Sequence, residues 1–257
     1  MLWWMTGRVL AVGVLGLVVI AAEAVAVTMR GYLPAESAPP IDTVIGQETG
    51  APLRLAILGD STAAGVGAND RADTVAARIA AGLAADGRRV TVAGVAAPGA
   101  RAAELSRQVT RGLSGQPHIA VILIGANDAT HVTRLSSVER DLASAVQTLR
   151  KAHVLVVVGT CPDMGAARAF ARPLRDLVGW RGRQVAEAQI RAVRREGGVA
   201  VDLAAQTGPV FRADPGTLSK DLFHPSADGY RLWAAALLPA IRKALGTPAM
   251  PQGQHRS

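Results

Sequence analysis

Four short polar clusters carry the chemical potential of this 257-residue chain. They are Gly59-Asp60-Ser61-Thr62, Pro98-Gly99-Ala100, Gly125-Ala126-Asn127-Asp128 and Asp221-Leu222-Phe223-His224-Pro225. A serine hydroxyl is a weak nucleophile at neutral pH and needs a base within hydrogen-bond reach. His224 is the candidate base for Ser61. Asp221 stands three residues before it, suited to hold one imidazole nitrogen while the other faces the serine, the orienting role of a carboxylate in a triad. Acyl chemistry also needs donors for an oxyanion. The Ser61 N–H, the Gly99 N–H and the Asn127 side-chain amide are the candidates. Glycine at position 99 lets the backbone come close, and an amide at position 127 donates without titrating.

Phosphate cradling is the rival explanation for the glycine-rich stretch Gly59–Gly67. A P-loop carries a Lys after its second glycine, and this loop holds neither Lys nor Arg. A G-x-G-x-x-G fingerprint beginning at Gly65 meets Asp70 where its third glycine belongs. Both phosphate readings fail on the residues that would touch the ligand.

The elements that must position these clusters are legible as alternating runs. Short continuous apolar stretches at Leu53–Leu58, Arg89–Val95, Ile119–Ile124, Val154–Val158 and Val199–Leu203 have the character of strands buried on both faces. Helical segments are expected at Thr74–Asp86, Ala102–Leu113, Ser137–Ala152, Arg175–Glu196 and Ala227–Leu245; Leu142, Val146 and Leu149 show the spacing in the third. Alternation of this kind predicts a five-stranded parallel sheet covered by helices on both sides. Such sheets bind at the carboxyl ends of their strands, where strand order reverses. The polar clusters follow strand runs or precede the last helix, so they fall on one rim.

These blocks, "GDST", a glycine after the second strand, "GAND" after the third and "DLFHP" near the end, resemble the signature blocks of the SGNH (GDSL-type) hydrolases. The resemblance covers about residues 53–245. It implies a flavodoxin-like three-layer α/β/α sandwich with strand order 2-1-3-4-5. It also implies Ser61 as nucleophile, Asp221 and His224 as its triad partners, and Ser61, Gly99 and Asn127 as the oxyanion hole. Nothing in the sequence demands a cofactor, and no Cys/His metal spacing occurs in it. Many members carry an Asn shortly before the second-block glycine, and "TVAGVAAPGA" has none. Of Gly94 and Gly99, the latter stands at the turn and is taken as the block residue. The G-x-S-x-G motif of α/β-hydrolases is absent.

Composition narrows the setting. The chain is 49% hydrophobic but only 4% aromatic, so its core is aliphatic. The formal net charge is +8, and all cations except Lys151, Lys220 and Lys243 are arginines. No aromatic residues interleave with basic stripes, which argues against a nucleic-acid partner. A single cysteine, Cys161, excludes an internal disulfide and reads as a small buried residue at a strand end. Asp128 reads as structural, and His118, His131 and His153 as surface or boundary histidines.

Residues 1–30 read as a signal anchor or signal peptide. Val9–Ala22 is uninterrupted and apolar, and with the continuation to Met29 it reaches the ~20 residues that span a bilayer. Ala24-Val25-Ala26 also fits a cleavage pattern. Arg8 precedes the segment while Glu36, Asp42 and Glu48 follow it, which places the bulk of the protein outside the cytoplasm, at the membrane or secreted. Residues 31–52 read as a linker, 53–246 as the hydrolase domain and 247–257 as a disordered tail. The expected function is an exported or membrane-tethered serine esterase acting on acyl esters, including those of a cell-envelope lipid or glycan. Two alternatives stay open: an O-acyltransferase using the same triad, and a non-catalytic binding module. The loops Ala63–Asp73, His131–Ser137 and Asp163–Arg175 are candidates for the acyl pocket, with Met164 and Phe170 as apolar contacts.

Overall fold

The computed structural model describes residues 32–246 together with Gly16 and Glu23. The anchor or signal segment read at residues 1–30 and the tail read at 247–257 therefore lie, those two residues aside, outside the described residues. Among the described residues, no helix is long and apolar enough to cross a membrane.

The apolar runs form strands β2 (Ala51–Gly59), β3 (Arg88–Gly94), β4 (Ile119–Leu123), β5 (Leu155–Gly159) and β6 (Val199–Val201). They lie in the order β3-β2-β4-β5-β6, each parallel to its neighbours, which is the expected order. The sheet is nevertheless not five parallel strands. A sixth strand, β1 (Thr43–Ile45), pairs antiparallel with β3 and makes the sheet mixed. Its three residues sit inside the Pro- and Gly-rich stretch read as a linker, where so short a run shows no period. The main-chain ladder and Ile45, which packs against the core, hold it, while Val44 on the other face is exposed.

Alternate residues of the central strands feed two cores, as the period of two requires. Leu53, Leu55 and Ile57 of β2 face helix α2 (Val75–Ala85) and the last helix, Ala227–Ala244. Ala56 and Leu58 face α3 (Leu105–Leu113) and the helices Leu135–Lys151 and Leu174–Arg195. The result is helices on both faces of one sheet. Two short helices were not legible as such: α1 (Ser61–Ala64) directly after β2, and α4 (Ala126–Thr130) directly after β4. In chain order the remaining helices are α5 (Leu135–Lys151), α6 (Leu174–Arg195), α7 (Leu203–Ala213) and α8 (Ala227–Ala244). Helix α7 was also unforeseen, because Pro209 inside it reads as a breaker. Asp202 caps its start by accepting the Ala205 N–H at 2.9 Å.

The chain leaves β2 for β3 on one side, then crosses to β4 on the other. That reversal opens a crevice at the carboxyl ends of β2 and β4. Contact there is close. Gly59 has φ +136°, and a Cβ at this position would lie 1.8 Å from the Leu123 carbonyl oxygen. Gly59→Ala is therefore expected to destabilise the fold by about 3 kcal/mol or more, since neither strand can yield. Gly87 also has positive φ but open space around it. Gly87→Ala is expected to cost only the ~1–2 kcal/mol of left-handed strain. Urea unfolding of the two variants measures the difference.

Candidate active site

Ser61 opens α1 immediately after β2. Asp60 caps this turn, its Oδ1 accepting the Thr62 N–H at 2.9 Å and the Thr62 hydroxyl at 2.7 Å. As the first residue of the helix, Ser61 has an N–H with no carbonyl partner inside the helix. The Asp60 N–H itself donates to the Leu123 carbonyl at 3.0 Å, tying the turn to β4.

His224 reaches Ser61 from the loop before α8. Its Nε2 lies 3.0 Å from Ser61 Oγ, and its Nδ1 lies 2.6 Å from Asp221 Oδ2. The ring is buried, at 5% exposure, so this line of hydrogen bonds is shielded from bulk water. The Asp221 carboxylate is heavily supplied with donors. Its Oδ1 accepts from the Ser219 hydroxyl (2.8 Å) and from the Phe223 and His224 N–H groups (3.0 Å each). Its Oδ2 accepts the Leu33 N–H at 3.2 Å as well as the imidazole. Burial alone would raise its pKa. The bonds from His224, Phe223 and Ser219 outweigh that and hold it well below the usual carboxylate range. Asp221 is therefore ionised at neutral pH and accepts a hydrogen bond from Nδ1–H, which leaves the Nε2 lone pair toward Ser61.

Gly99 and Asn127 converge on the same place. Ser61, Gly99, Asn127 and His224 line one cavity of about 550 Å³. Gly99 has φ +81°, and nothing lies within 4 Å of where its Cβ would be. The glycine is required by backbone conformation and leaves space open beside its peptide. Asn127 Nδ2 donates to the Ala100 carbonyl at 3.0 Å, and an amide has a second N–H to offer. The neighbouring Asp128 is fully buried, and its Oδ2 accepts the Ala102 N–H at 3.0 Å. Two successive residues of α4 thus pin the loop that carries Gly99, which gives the structural reading of Asp128 its content.

Most of the rest of the cavity wall is apolar: Tyr32, Leu33, Val66, Phe170, Leu174 and Phe223 contribute to it. Phe170 occupies the place foreseen for it. Met164 does not; it packs in an internal cluster with Cys161 and Val185. Cys161 is fully buried, and burial pushes its thiol well up. His131 also lines the cavity, its Nδ1 2.9 Å from the Asn127 carbonyl oxygen, although it read as a boundary residue.

Two buried glutamines were missed. Gln108 accepts the Gly59 N–H at 2.7 Å and donates to the Gly59 carbonyl at 2.9 Å. Gln189 accepts the Cys161 N–H at 2.7 Å and donates to the Ile124 carbonyl at 2.9 Å. Each satisfies backbone groups at strand ends where the ladder stops. The signal was present: each is a polar residue on the apolar face of its helix, Gln108 beside Leu105 and Val109.

A serine, an imidazole and a carboxylate stand in one hydrogen-bonded line, the geometry of a Ser-His-Asp triad, at the switch point of an α/β sandwich. Residues 57–232 match the model of the GDSL-like Lipase/Acylhydrolase family, and the chain belongs to that family. It is similar to the GDSL-like esterase Rv1075c of Mycobacterium tuberculosis, with 40% identity over 197 residues. The match covers 75% of this chain and 63% of that relative, so the chain spans somewhat less than two thirds of the relative's length. Among solved structures it is similar to TesA, with TM-score 0.62 and 20% identity, covering 74% of this chain and 99% of that one. It is also similar to a variant of Axe2, an acetylxylan esterase from Geobacillus stearothermophilus. There the TM-score is 0.57 and the identity 21%, covering 76% and 96% of the two chains. At these identities the structural likeness concerns the fold alone.

Asp60 generates a pH prediction. It is fully buried, and burial raises its pKa from 3.8 to about 6, against the lowering effect of the Thr62 bonds and the nearby His224. Below pH 4 the carboxyl is protonated in both folded and unfolded chains. As pH rises from about 4 to 6 the unfolded chain releases the proton first, so stability falls. Above pH 6 the loss is complete, at roughly 3 kcal/mol. Asp60→Asn is expected to flatten this decline, and thermal unfolding midpoints measured between pH 4.5 and 7.5 test it.

Proposed function

We propose that this protein is a serine esterase that cleaves acyl esters through an acyl-enzyme on Ser61. The observation that carries this reading is the unbroken line Ser61 Oγ, His224 Nε2, His224 Nδ1 and Asp221 Oδ2, with contacts of 3.0 and 2.6 Å. His224 takes the Ser61 proton as Oγ forms a bond to the ester carbonyl carbon. The tetrahedral oxyanion is received by the Ser61 N–H, the Gly99 N–H and the free N–H of Asn127. Collapse breaks the bond to the alcohol, which leaves with the proton from His224. Water then attacks the acyl-enzyme with His224 as base, releasing the carboxylic acid and restoring Ser61. Asp221 stays ionised throughout and stabilises the imidazolium.

Membership of a family of lipases and acylhydrolases supports the reaction class. The cavity supports an acyl group larger than acetyl, since it holds about 550 Å³ and is walled by aromatic and aliphatic side chains. We further propose that the enzyme works outside the cytoplasm, tethered by or exported through its apolar N-terminal stretch, on lipid or glycan esters of the cell envelope. The run Val9–Met29 and the net charge of +8 support that setting.

The test is hydrolysis of p-nitrophenyl esters from acetate to laurate by the full chain in detergent micelles, beside Ser61→Ala and Asn127→Ala. Ser61→Ala is expected to lose about four or more orders of magnitude in kcat. Asn127→Ala is expected to lose on the order of a hundredfold, the usual effect of removing one oxyanion donor. Turnover that survives Ser61→Ala would overturn the acyl-enzyme reading.

A further inference from the structure

The region that matches the family begins at residue 57, yet the cavity wall begins at Tyr32. The intervening segment is fastened to the sheet at its far end. Ile41 is buried at 8% exposure and joins the same core as Leu55 and Ile57. Asp42 Oδ1 accepts the Gly94 N–H at 2.7 Å, the Arg71 guanidinium donates to the Pro40 carbonyl at 2.8 Å, and β1 completes the sheet edge. From that anchorage the chain runs across the rim to the triad.

Two contacts at the near end bear on the chemistry. The Leu33 N–H donates to Asp221 Oδ2, the same oxygen that holds the His224 ring. The Tyr32 ring meets Phe223 edge-on at 5.3 Å, and Phe223 in turn meets the His224 ring at 5.1 Å and Phe170 at 5.7 Å. Tyr32, Leu33 and Ala35 then form one side of the acyl cavity opposite Leu174 and Val178.

We infer that residues 32–35 form a strap in which Leu33 positions the triad carboxylate through its backbone N–H and Tyr32 sets the length of acyl chain that the cavity admits. The inference rests on the ester reading of Ser61. The two residues act through different atoms, so their effects separate. Leu33 precedes Pro34, which already restricts it to extended or polyproline backbone. Proline at position 33 suits that conformation, removes the donor and part of the side chain, and in turn restricts the Tyr32 backbone to extended geometry. Tyr32 bounds the cavity with its ring, so its truncation enlarges the space without touching Asp221.

The experiment uses the full chain in detergent micelles. Leu33→Pro is expected to lower kcat by roughly tenfold for every ester length alike, as loss of one bond to a charged group does. Leu33→Met, which keeps the N–H and changes only the side chain at the cavity wall, is expected to lose far less kcat than Leu33→Pro. Tyr32→Ala is expected to raise KM for butyrate by about five- to tenfold and to move the chain-length optimum to longer acyl groups. Proton NMR of the His224 Nδ1–H supplies a readout independent of turnover. That resonance is expected to move in Leu33→Pro and to stay in Leu33→Met and Tyr32→Ala. Thermal unfolding midpoints report whether each variant is folded. Absence of parent turnover, or turnover in Ser61→Ala, would remove the ester reading while the NMR arm still tests the strap. An unmoved resonance in folded Leu33→Pro would overturn the positioning role. An unchanged chain-length profile in Tyr32→Ala would overturn the specificity role.

Discussion

Everything at the rim depends on how closely two backbones pass. Gly59 at the end of β2 lies against the Leu123 carbonyl with no room for a side chain between them. This contact sets the position of Asp60, whose N–H is bonded to that carbonyl, and hence of Ser61 one residue on. Gln108 reinforces it by bonding both the N–H and the carbonyl of Gly59 from the covering helix. A serine displayed on a four-residue helical turn would be poorly located by that turn alone. It is located because the turn grows from two strands that cannot move apart without breaking buried hydrogen bonds, nor together at all.

The same rim holds two carboxylates whose pKa values are shifted in opposite directions. Asp221 is held far down by a shell of donors, while Asp60, buried behind Ser61 with its bonds concentrated on one oxygen, is pushed up to about 6. The proposed chemistry needs the first of these shifts. A neutral Asp221 would accept no proton-bearing nitrogen firmly and would leave the imidazole free to turn. The fold keeps one charge where it orients the base and raises the cost of the other. That cost is carried by the stability of the domain, in line with sites elsewhere that retain locally unfavourable groups for function.

Much of this was legible in the chain. The five apolar runs do form strands, in the order the family resemblance implies, but only β2, β4 and β5 are largely buried on both faces; β3 alternates buried and exposed residues, and β6 is exposed at Val199. The residues following them were read as one rim, and Ser61, Asp221, His224, Asn127 and Gly99 do meet there. What escaped has physical causes. β1 is only three residues long, too short to leave a periodic trace. Helix α7 contains Pro209, whose local preference the tertiary packing overrides. Gln108 and Gln189 act through backbone groups of distant strands, and such pairing is invisible until the topology is known. Tyr32 and Leu33 lie in a stretch whose composition speaks only of irregular backbone.

That last omission shows where composition and geometry part company. Proline and glycine mark the absence of regular structure, and absence of regular structure is easily equated with a passive tether. An irregular segment that crosses a rim has more unpaired N–H groups to offer than a helix or strand does, because no ladder consumes them. The Leu33 N–H is available to Asp221 for this reason. The same freedom lets the Tyr32 ring settle against Phe223 at an angle of 68°, without a helical or pleated register dictating its direction. The sheet and helices locate Ser61 and His224 by excluding alternatives. The irregular segment completes the site by supplying donors and surface that regular elements have already spent on one another.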